Sequence, residues 1–281
     1  MNSIDLKAHA KVNIGLQVKD QREDGLHNIH TIFQELELHD AIVLEKQPKD
    51  WNIKINDLKI PSDGRNTCIQ AYLAIKQRFP KIDGIFITLD KNIPSGAGLG
   101  GGSSDAAAVL KGLRELFDLP LDHRELSEIA VKIGADVPFF ISGGTQIGDG
   151  IGNVLTPINN SVNGFYLLVI PDIFISTAWA YKALKKHLKE DTDRPNFADF
   201  LEGNNLSKAI FDNDFERIVI PTYPKIGEIK KGLLEAGASY ASLSGSGSTV
   251  FGIYDDEAGA KQAESYFQKQ YHTLLTRPTN I

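Results

Sequence analysis

At 281 residues, with 42% apolar and 23% charged side chains, the chain is long enough for one large or two ordinary domains with packed cores. Its 36 acidic residues outnumber 30 basic ones; the net charge of −6 argues against a general nucleic-acid or anionic-membrane binder, though not against a small anionic ligand held by a local field. A single cysteine, Cys68, excludes an internal disulfide and a paired-cysteine zinc site, and points to a reducing compartment.

No apolar run approaches the length of a membrane span, and residues 1–11 contain Asp5, Lys7, His9 and Lys11 in place of a signal-peptide core. A cytoplasmic location is expected. Val12, Ile14, Leu16 and Val18 alternate with other residues, which predicts a strand over 12–18. Arg22, Glu23, Asp24 and Gly25 read as a turn, and 29–38 and 41–46 as two further strands, antiparallel in arrangement. A helix is predicted over 66–78, a buried strand over 85–89, a helix over 104–117 with Val109, Leu110, Leu113 and Leu116 on one face, and another over 122–133 stopped by Gly134. The polar stretch 159–164 is the expected linker, dividing the chain into domains 1–160 and 161–281. The second half opens on a strand at 165–170. Helices follow near 177–188, 226–236 and 256–270, with strands near Ala241 and over 249–254, an α+β pattern.

The strongest local signal is the run Pro94, Ser95, Gly96, Ala97, Gly98, Leu99, Gly100, Gly101, Gly102, Ser103, Ser104, in which five glycines fall within seven residues between a predicted strand and a predicted helix. Without Cβ atoms such a loop brings several backbone N–H groups to one anion, and the following helix adds its own unpaired N–H groups and positive dipole end. Ser103 and Ser104 are placed to cap that helix or to contact a phosphate or a metal. Two common phosphate loops fail on named features. Gly96, Gly98 and Gly101 match a dinucleotide fingerprint, but residues 90–94 separate it from the strand, and Glu115 and Asp118 are misplaced for its acidic partner. A Walker loop requires a lysine where Gly102 and Ser103 stand.

Three further segments carry chemistry. Asp136 lies in Gly134-Ala135-Asp136-Val137-Pro138-Phe139-Phe140, and a carboxylate among apolar neighbours needs a partner or a task; accepting a proton from an alcohol is one task, and a turn or cap is the plain alternative. Lys11 and Asn13 share one face of the first strand, which on its own is equally a solvated face. Residues 243–251, with Gly245, Ser246 and Gly247, combine hydroxyls and free N–H groups ahead of a strand, as a phosphate site or simply a loop would.

In this order, a lysine-bearing first strand, a Pro-x-x-x-Gly-Leu-Gly loop followed by Ser-Ser, and a late Ser-Gly-Ser-Gly segment, the chain resembles the GHMP kinases over nearly its whole length. Asp24-Gly25-Leu26-His27 and the 134–140 segment narrow the resemblance to the branch acting on cytidine-diphosphate methylerythritol. It implies a two-domain α+β fold, an N-terminal ribosomal-protein-like β/α domain and a C-terminal ferredoxin-like α/β domain. It implies ATP-dependent phosphorylation of that substrate's 2-hydroxyl in the non-mevalonate isoprenoid route, with Mg²⁺, by a monomer or homodimer that needs no nucleic acid or membrane. On the same basis Asp136 is the general base and Lys11 lies beside it; residues 94–104 wrap the phosphates, with Lys91 and Asn66 near the nucleotide. Asn13, His27, Thr177, Tyr181, Gly245 and Ser246 fall in the substrate site, with Tyr181 stacking on cytosine and His27 on its edge, and Ser104 assists the metal.

Two positions depart from the family pattern: Leu26 replaces the usual tyrosine before His27, and His9 replaces the usual proline before Ala10. A mevalonate-, homoserine- or sugar-type kinase of the same superfamily is the nearest alternative reading, and a non-catalytic nucleotide-binding module is a more distant one.

Overall fold

The computed structural model describes residues 1–158, 162–185, 194, 196–197 and 211–279. The chain forms two compact units interleaved in sequence. The first comprises Met1–Ala10, Leu38–Ser95 and Gly100–Gly143; the second comprises Lys11–Glu37, Gly96–Leu99 and Gly144–Ile281. The long paired strands β1 (Ser3–Gln21) and β2 (His27–Gln47) supply residues to both. The expected linker begins at 159–161, outside the described residues.

In the first unit β4 (Gly84–Asp90) lies between β2, which it pairs antiparallel, and β3 (Trp51–Ile55), which it pairs parallel. Helices α1 (Thr67–Arg78), α2 (Gly101–Leu116), α3 (His123–Ile133) and α4 (Val137–Ser142) complete it. α1 starts where Asn66 caps the Cys68 N–H, and α3 where Asp122 and Glu125 form a reciprocal capping box. The apolar stripe expected on α2 is buried: Val109, Leu110 and Leu113 are fully covered. Gly112 sits where a Cβ would lie 2.4 Å from Leu6 and 2.8 Å from Leu44, so glycine permits the close approach of α2 to the strands.

Three expectations change here. α2 begins at Gly101, so Gly101 to Ser104 are helix rather than loop. β2 is one strand where two were expected. Its apparent break at His39 and Asp40 is bridged because Asp40 is satisfied inside the strand by the N–H groups of Asn92 and Ile93. And Asp136, for which a turn or cap is the plain alternative, precedes a short helix, Val137–Ser142, with proline in its first turn.

In the second unit the 31–34 stretch of β2 pairs antiparallel with β5 (Thr145–Asp149), and β5 with β6 (Val154–Pro157). A second sheet, ordered β10-β7-β9-β8, is antiparallel throughout, from β7 (Phe165–Ile170), β8 (Tyr240–Leu243), β9 (Val250–Tyr254) and β10 (His272–Thr276). Helices α5 (Thr177–Leu184), α6 (Glu216–Thr222), α7 (Pro224–Glu235) and α8 (Glu257–Phe267) accompany it. Its core joins Leu167, Val169 and Val250 of the strands to Ile229 and Leu233 of α7 and Ala263 of α8. The helix expected to reach residue 188 is described to Leu184, and residues 186–188 lie outside the described residues.

Candidate active site

In the first unit the chemistry gathers at the start of α2. Gly100, its N-cap residue, has φ 74° and offers no side-chain cap. The first-turn N–H groups therefore retain the anion-binding capacity that an N-terminus carries. Thr67 holds this turn by donating to the Gly102 carbonyl at 2.7 Å. Asp136 occupies the N-cap position of α4, yet its carboxylate makes no capping bond; its conformation is helical, φ −84° and ψ −12°. The simple capping role is thereby removed. Two residues earlier, Gly134 turns so that a Cβ there would lie 3.9 Å from Ser103 Oγ. Asp136, half-buried, thus follows a turn that faces the first turn of α2.

Lys91 is buried beneath the same turn. Its ammonium pairs with Asp40 and, at 2.7 Å, with Asp105, and would lie 3.2 Å from a Cβ on Gly101. One cation thus faces two buried carboxylates. Burial pushes the Asp105 carboxyl up to about 7 against the pull of Lys91, and its Oδ1 has no hydrogen-bond partner among the described residues. Burial works against the Lys91 charge, but Asp105 and Asp40 hold its ammonium above the ordinary range. Asn66 is also committed: it caps α1 and donates to the Pro61 carbonyl at 2.8 Å. Ser104 is buried within the first turn, its N–H bonded to the Gly100 carbonyl. Among the described residues no group of three or more His, Cys, Asp or Glu side chains is arranged to hold a metal ion.

In the second unit Lys11 and Asn13 are 4% and 1% exposed, so their shared strand face is not solvated. Lys11 Nζ donates to Asn13 Oδ1 at 2.7 Å and stands 5.2 Å from the Phe33 ring centre. Asn13 in turn donates to Thr31 Oγ1, which donates to the Gly15 carbonyl at 2.6 Å. The 96–99 stretch is bound on two sides. Lys11 N–H donates to the Leu99 carbonyl at 2.9 Å, Thr249 N–H to that of Ala97 and Ser244 Oγ to that of Gly98. Gly245 brings its Cα close enough that a Cβ would lie 3.5 Å from Asn13 Oδ1 and 3.9 Å from Lys11 Nζ. Ser246 shares a hydrogen bond with Thr177, hydroxyl to hydroxyl, at 2.9 Å.

The His27 and Tyr181 rings are stacked on each other with centres 5.2 Å apart. The Tyr181 ring is backed edge-on by Phe215. His27 Nε2 is buried and has no partner among the described residues, a polar atom left for a ligand. Burial and Lys185 hold the imidazole below its ordinary range, with Asp20 opposing, so the ring is neutral at neutral pH. Leu26 beside it is half exposed, at 50%.

Sequence reading missed the residues that brace these loops. Asp40, Asp105, Thr31 and Asn213 are all buried polar groups. Isolated polar side chains among apolar neighbours are their only trace in the sequence, and the partners that explain them lie 51 residues away for Asp40, 14 for Asp105, and 30 and 32 for Asn213.

In the first unit a glycine-rich turn opens a helix without a side-chain cap, beside an aspartate that makes no capping bond, an arrangement suited to holding a phosphate. Two family models match: the GHMP kinases N terminal domain over residues 66–144 and the GHMP kinases C terminal domain over 181–273. The 4-diphosphocytidyl-2-C-methyl-D-erythritol kinase of Alkaliphilus oremlandii is 43% identical, covering 98% of this chain and 97% of that protein. The enzyme of the same name from Chlorobium chlorochromatii is 41% identical, covering 96% and 95%. A crystal structure of 4-(cytidine 5'-diphospho)-2C-methyl-D-erythritol kinase superposes with a TM-score of 0.83 at 28% identity, over 99% of this chain and all of that one. A homoserine kinase from Cytophaga hutchinsonii shares the fold, with a TM-score of 0.80 at 19% identity over 99% and 95% of the two chains. The chain belongs to the GHMP kinases, within the family of the 4-diphosphocytidyl-2-C-methyl-D-erythritol kinases. It is a small-molecule kinase with ATP as phosphoryl donor, and among its described residues no helix is long and apolar enough to cross a membrane.

Proposed function

We propose that this kinase transfers the γ-phosphoryl group of ATP to the 2-hydroxyl of 4-diphosphocytidyl-2-C-methyl-D-erythritol, in the cytoplasm and in the non-mevalonate route to isoprenoid precursors. The observation that carries the reading is Asp136: a half-buried carboxylate in an N-cap position that makes no cap, following a turn that faces Ser103 of the glycine-rich helix start. Asp136 accepts the proton of the substrate hydroxyl as that oxygen attacks the γ-phosphorus and ADP departs. The N–H groups of 96–104 hold the phosphates. Lys11, steadied by Asn13, offsets charge that develops during transfer. Lys91 and Asn66 serve the nucleotide from behind, as supports of the α2 and α1 starts. His27 and Tyr181 receive cytosine on its edge and face, while Thr177, Gly245 and Ser246 line the path of the alcohol.

The donor set fits a magnesium ion that arrives on the nucleotide. Magnesium keeps waters and substrate phosphates as ligands and needs only one or two from the protein, and here Ser104 is the hydroxyl in the right turn. When bound, the ion neutralises phosphate charge.

The test is coupled ATP turnover with the purified chain against 4-diphosphocytidyl-2-C-methyl-D-erythritol, its uridine analogue, mevalonate, homoserine and hexoses. Turnover confined to the cytidine compound, with the phosphate on its 2-hydroxyl, supports the reading. Faster turnover of another alcohol reassigns the substrate, and ATP binding without transfer to any of them removes the kinase role.

A further inference from the structure

Asn213 belongs to none of the motifs above, yet it joins two of them. Residues 212–214 run beside β1 and form a parallel bridge at Leu16: Leu16 N–H donates to the Asp212 carbonyl at 3.0 Å, and Asp214 N–H to the Leu16 carbonyl at 2.8 Å. Leu16 lies three residues beyond Asn13 on the strand that carries Lys11. From there the Asn213 side chain, 1% exposed, reaches the turn after β8. Its Nδ2 donates to the carbonyls of Leu243 and Gly245, each at 2.8 Å, and its Oδ1 accepts the Phe215 N–H at 3.0 Å. Both amide protons and the amide oxygen are used. The two carbonyls flank Ser244, whose hydroxyl holds Gly98, and Gly245 is the residue whose Cα faces Asn13 and Lys11.

A side-chain amide is the group that meets this demand. It supplies two donors from one nitrogen and one acceptor, whereas an aspartate of the same shape would aim lone pairs at both carbonyls. The backbone of the segment does not depend on it. Asp214 next door accepts the Val18 N–H at 2.7 Å and takes a bidentate ion pair from Arg194 at 2.6 and 2.7 Å. The far side of the turn is steadied separately, by Glu216 Oε1 accepting the Leu243 N–H at 2.9 Å.

We propose that Asn213 is a positioning residue for phosphoryl transfer, its amide setting the 244–247 turn so that Gly245 and Ser246 meet the alcohol substrate opposite Lys11 and Asn13. The inference rests on the reading that this turn lines the substrate site. Asn213→Asp should raise KM for 4-diphosphocytidyl-2-C-methyl-D-erythritol by about tenfold or more, the size of losing buried hydrogen bonds. KM for ATP should rise less, by no more than about twofold, because the 96–99 stretch keeps its bonds from Lys11 and Thr249, which Asn213 does not touch. Asn213→Ser, which retains one donor and adds no charge, should fall between wild type and Asn213→Asp and covers the case in which the aspartate variant does not fold. Equal rises in both KM values, or wild-type values for both variants, overturn the proposal. Ser246→Ala in parallel separates the two levels: if it leaves KM for the alcohol unchanged, the substrate-site reading fails; if it raises that KM while the Asn213 variants do not, the inference about Asn213 fails alone.

Discussion

Lys11 donates its ammonium to Asn13 across one face of β1, and both side chains are buried. A buried ammonium held on a strand face by its neighbour is a preorganised positive charge. This is what a transferase needs where phosphate charge shifts in the transition state. Lys11→Ala and Asp136→Ala should each lower kcat by roughly 10²–10⁴, the range for a lost acid–base or charge-stabilising group. The double variant should lose little more than either single one, since groups acting as a unit do not add. Steady-state kinetics with saturating ATP checks this. Near-normal turnover by Asp136→Ala would remove it from the base role.

The Leu26 position is expected to be improvable. In the proposed subsite cytosine rests against the Tyr181 ring, and Leu26, next to His27 in the chain, is aliphatic and half exposed. A second ring is worth on the order of 1 kcal/mol by analogy with aromatic pairs. Leu26→Tyr should therefore lower KM for the cytidine substrate about fivefold and leave KM for ATP unchanged. No change in either constant would mean that Leu26 does not contact the base.

The helices and strands that bury an alternating or helical stripe could be read from the chain itself. Val12 to Val18, the α2 face of Val109 and Leu113, and the capping box at Asp122 and Glu125 are local patterns. The parts that escaped were those whose cause is remote. β2 looks broken at Asp40 until the N–H groups of Asn92 and Ile93 are seen to satisfy that carboxylate. The glycine run looks like a loop up to Ser104 until α1 and Thr67 are placed to support a helix from Gly101. The candidate site divided in the same way. Lys11, Asp136, His27 and the glycines stand out in the chain by type and order. Whether Lys91 and Asn66 face outward or are consumed by capping and ion pairing is not legible there, because that depends on Asp40, Asp105 and Pro61.

The two carboxylates on Lys91 should respond oppositely to neutralisation. The Asp105 carboxyl stands near 7 in the folded chain against an ordinary value of 3.8, so the folded state holds that proton more tightly than the unfolded one. Its contribution is fully present below about pH 4 and is lost as pH rises through about 7. Asp105→Asn should consequently gain thermal stability over wild type, by more at pH 8 than at pH 5. Asp40→Asn should be destabilised at both, since one oxygen can still accept the Asn92 and Ile93 N–H groups but the other, which pairs with the Lys91 ammonium, becomes an NH₂ donor facing it. Thermal unfolding at the two pH values decides it. A constant offset for Asp105→Asn would show that Asp105 does not titrate in this window.

His27 gives the complementary pH signature. Its imidazole is held below the ordinary 6.5 by burial first and by Lys185 second. The unfolded chain therefore binds a proton at a pH where the folded chain does not, and stability is lost as pH falls below 6.5 toward the folded value. Wild type should lose stability relative to His27→Gln between pH 7 and 5. Parallel unfolding midpoints across that range would place the imidazole in water rather than in a subsite.

Gly98 is the glycine of the phosphate loop with the least room. Its φ is +83°, and a Cβ would lie 2.3 Å from the Ser244 carbonyl oxygen and 3.0 Å from that of Gly247. Both neighbours are backbone, and the first is held by the turn that Asn213 braces, so neither yields easily. Gly98→Ala should force the 96–99 stretch away from the 244–247 turn and raise KM for ATP by about tenfold or more, with a stability loss of at least the ~1–3 kcal/mol that a strained backbone conformation costs. Gly237→Ala supplies the control: φ there is +94° but nothing lies within 4 Å of the new methyl. It should show the conformational cost in its unfolding midpoint and none of the kinetic change. If both variants alter only the midpoint, the contact between the glycine loop and the late turn is not what shapes the nucleotide site.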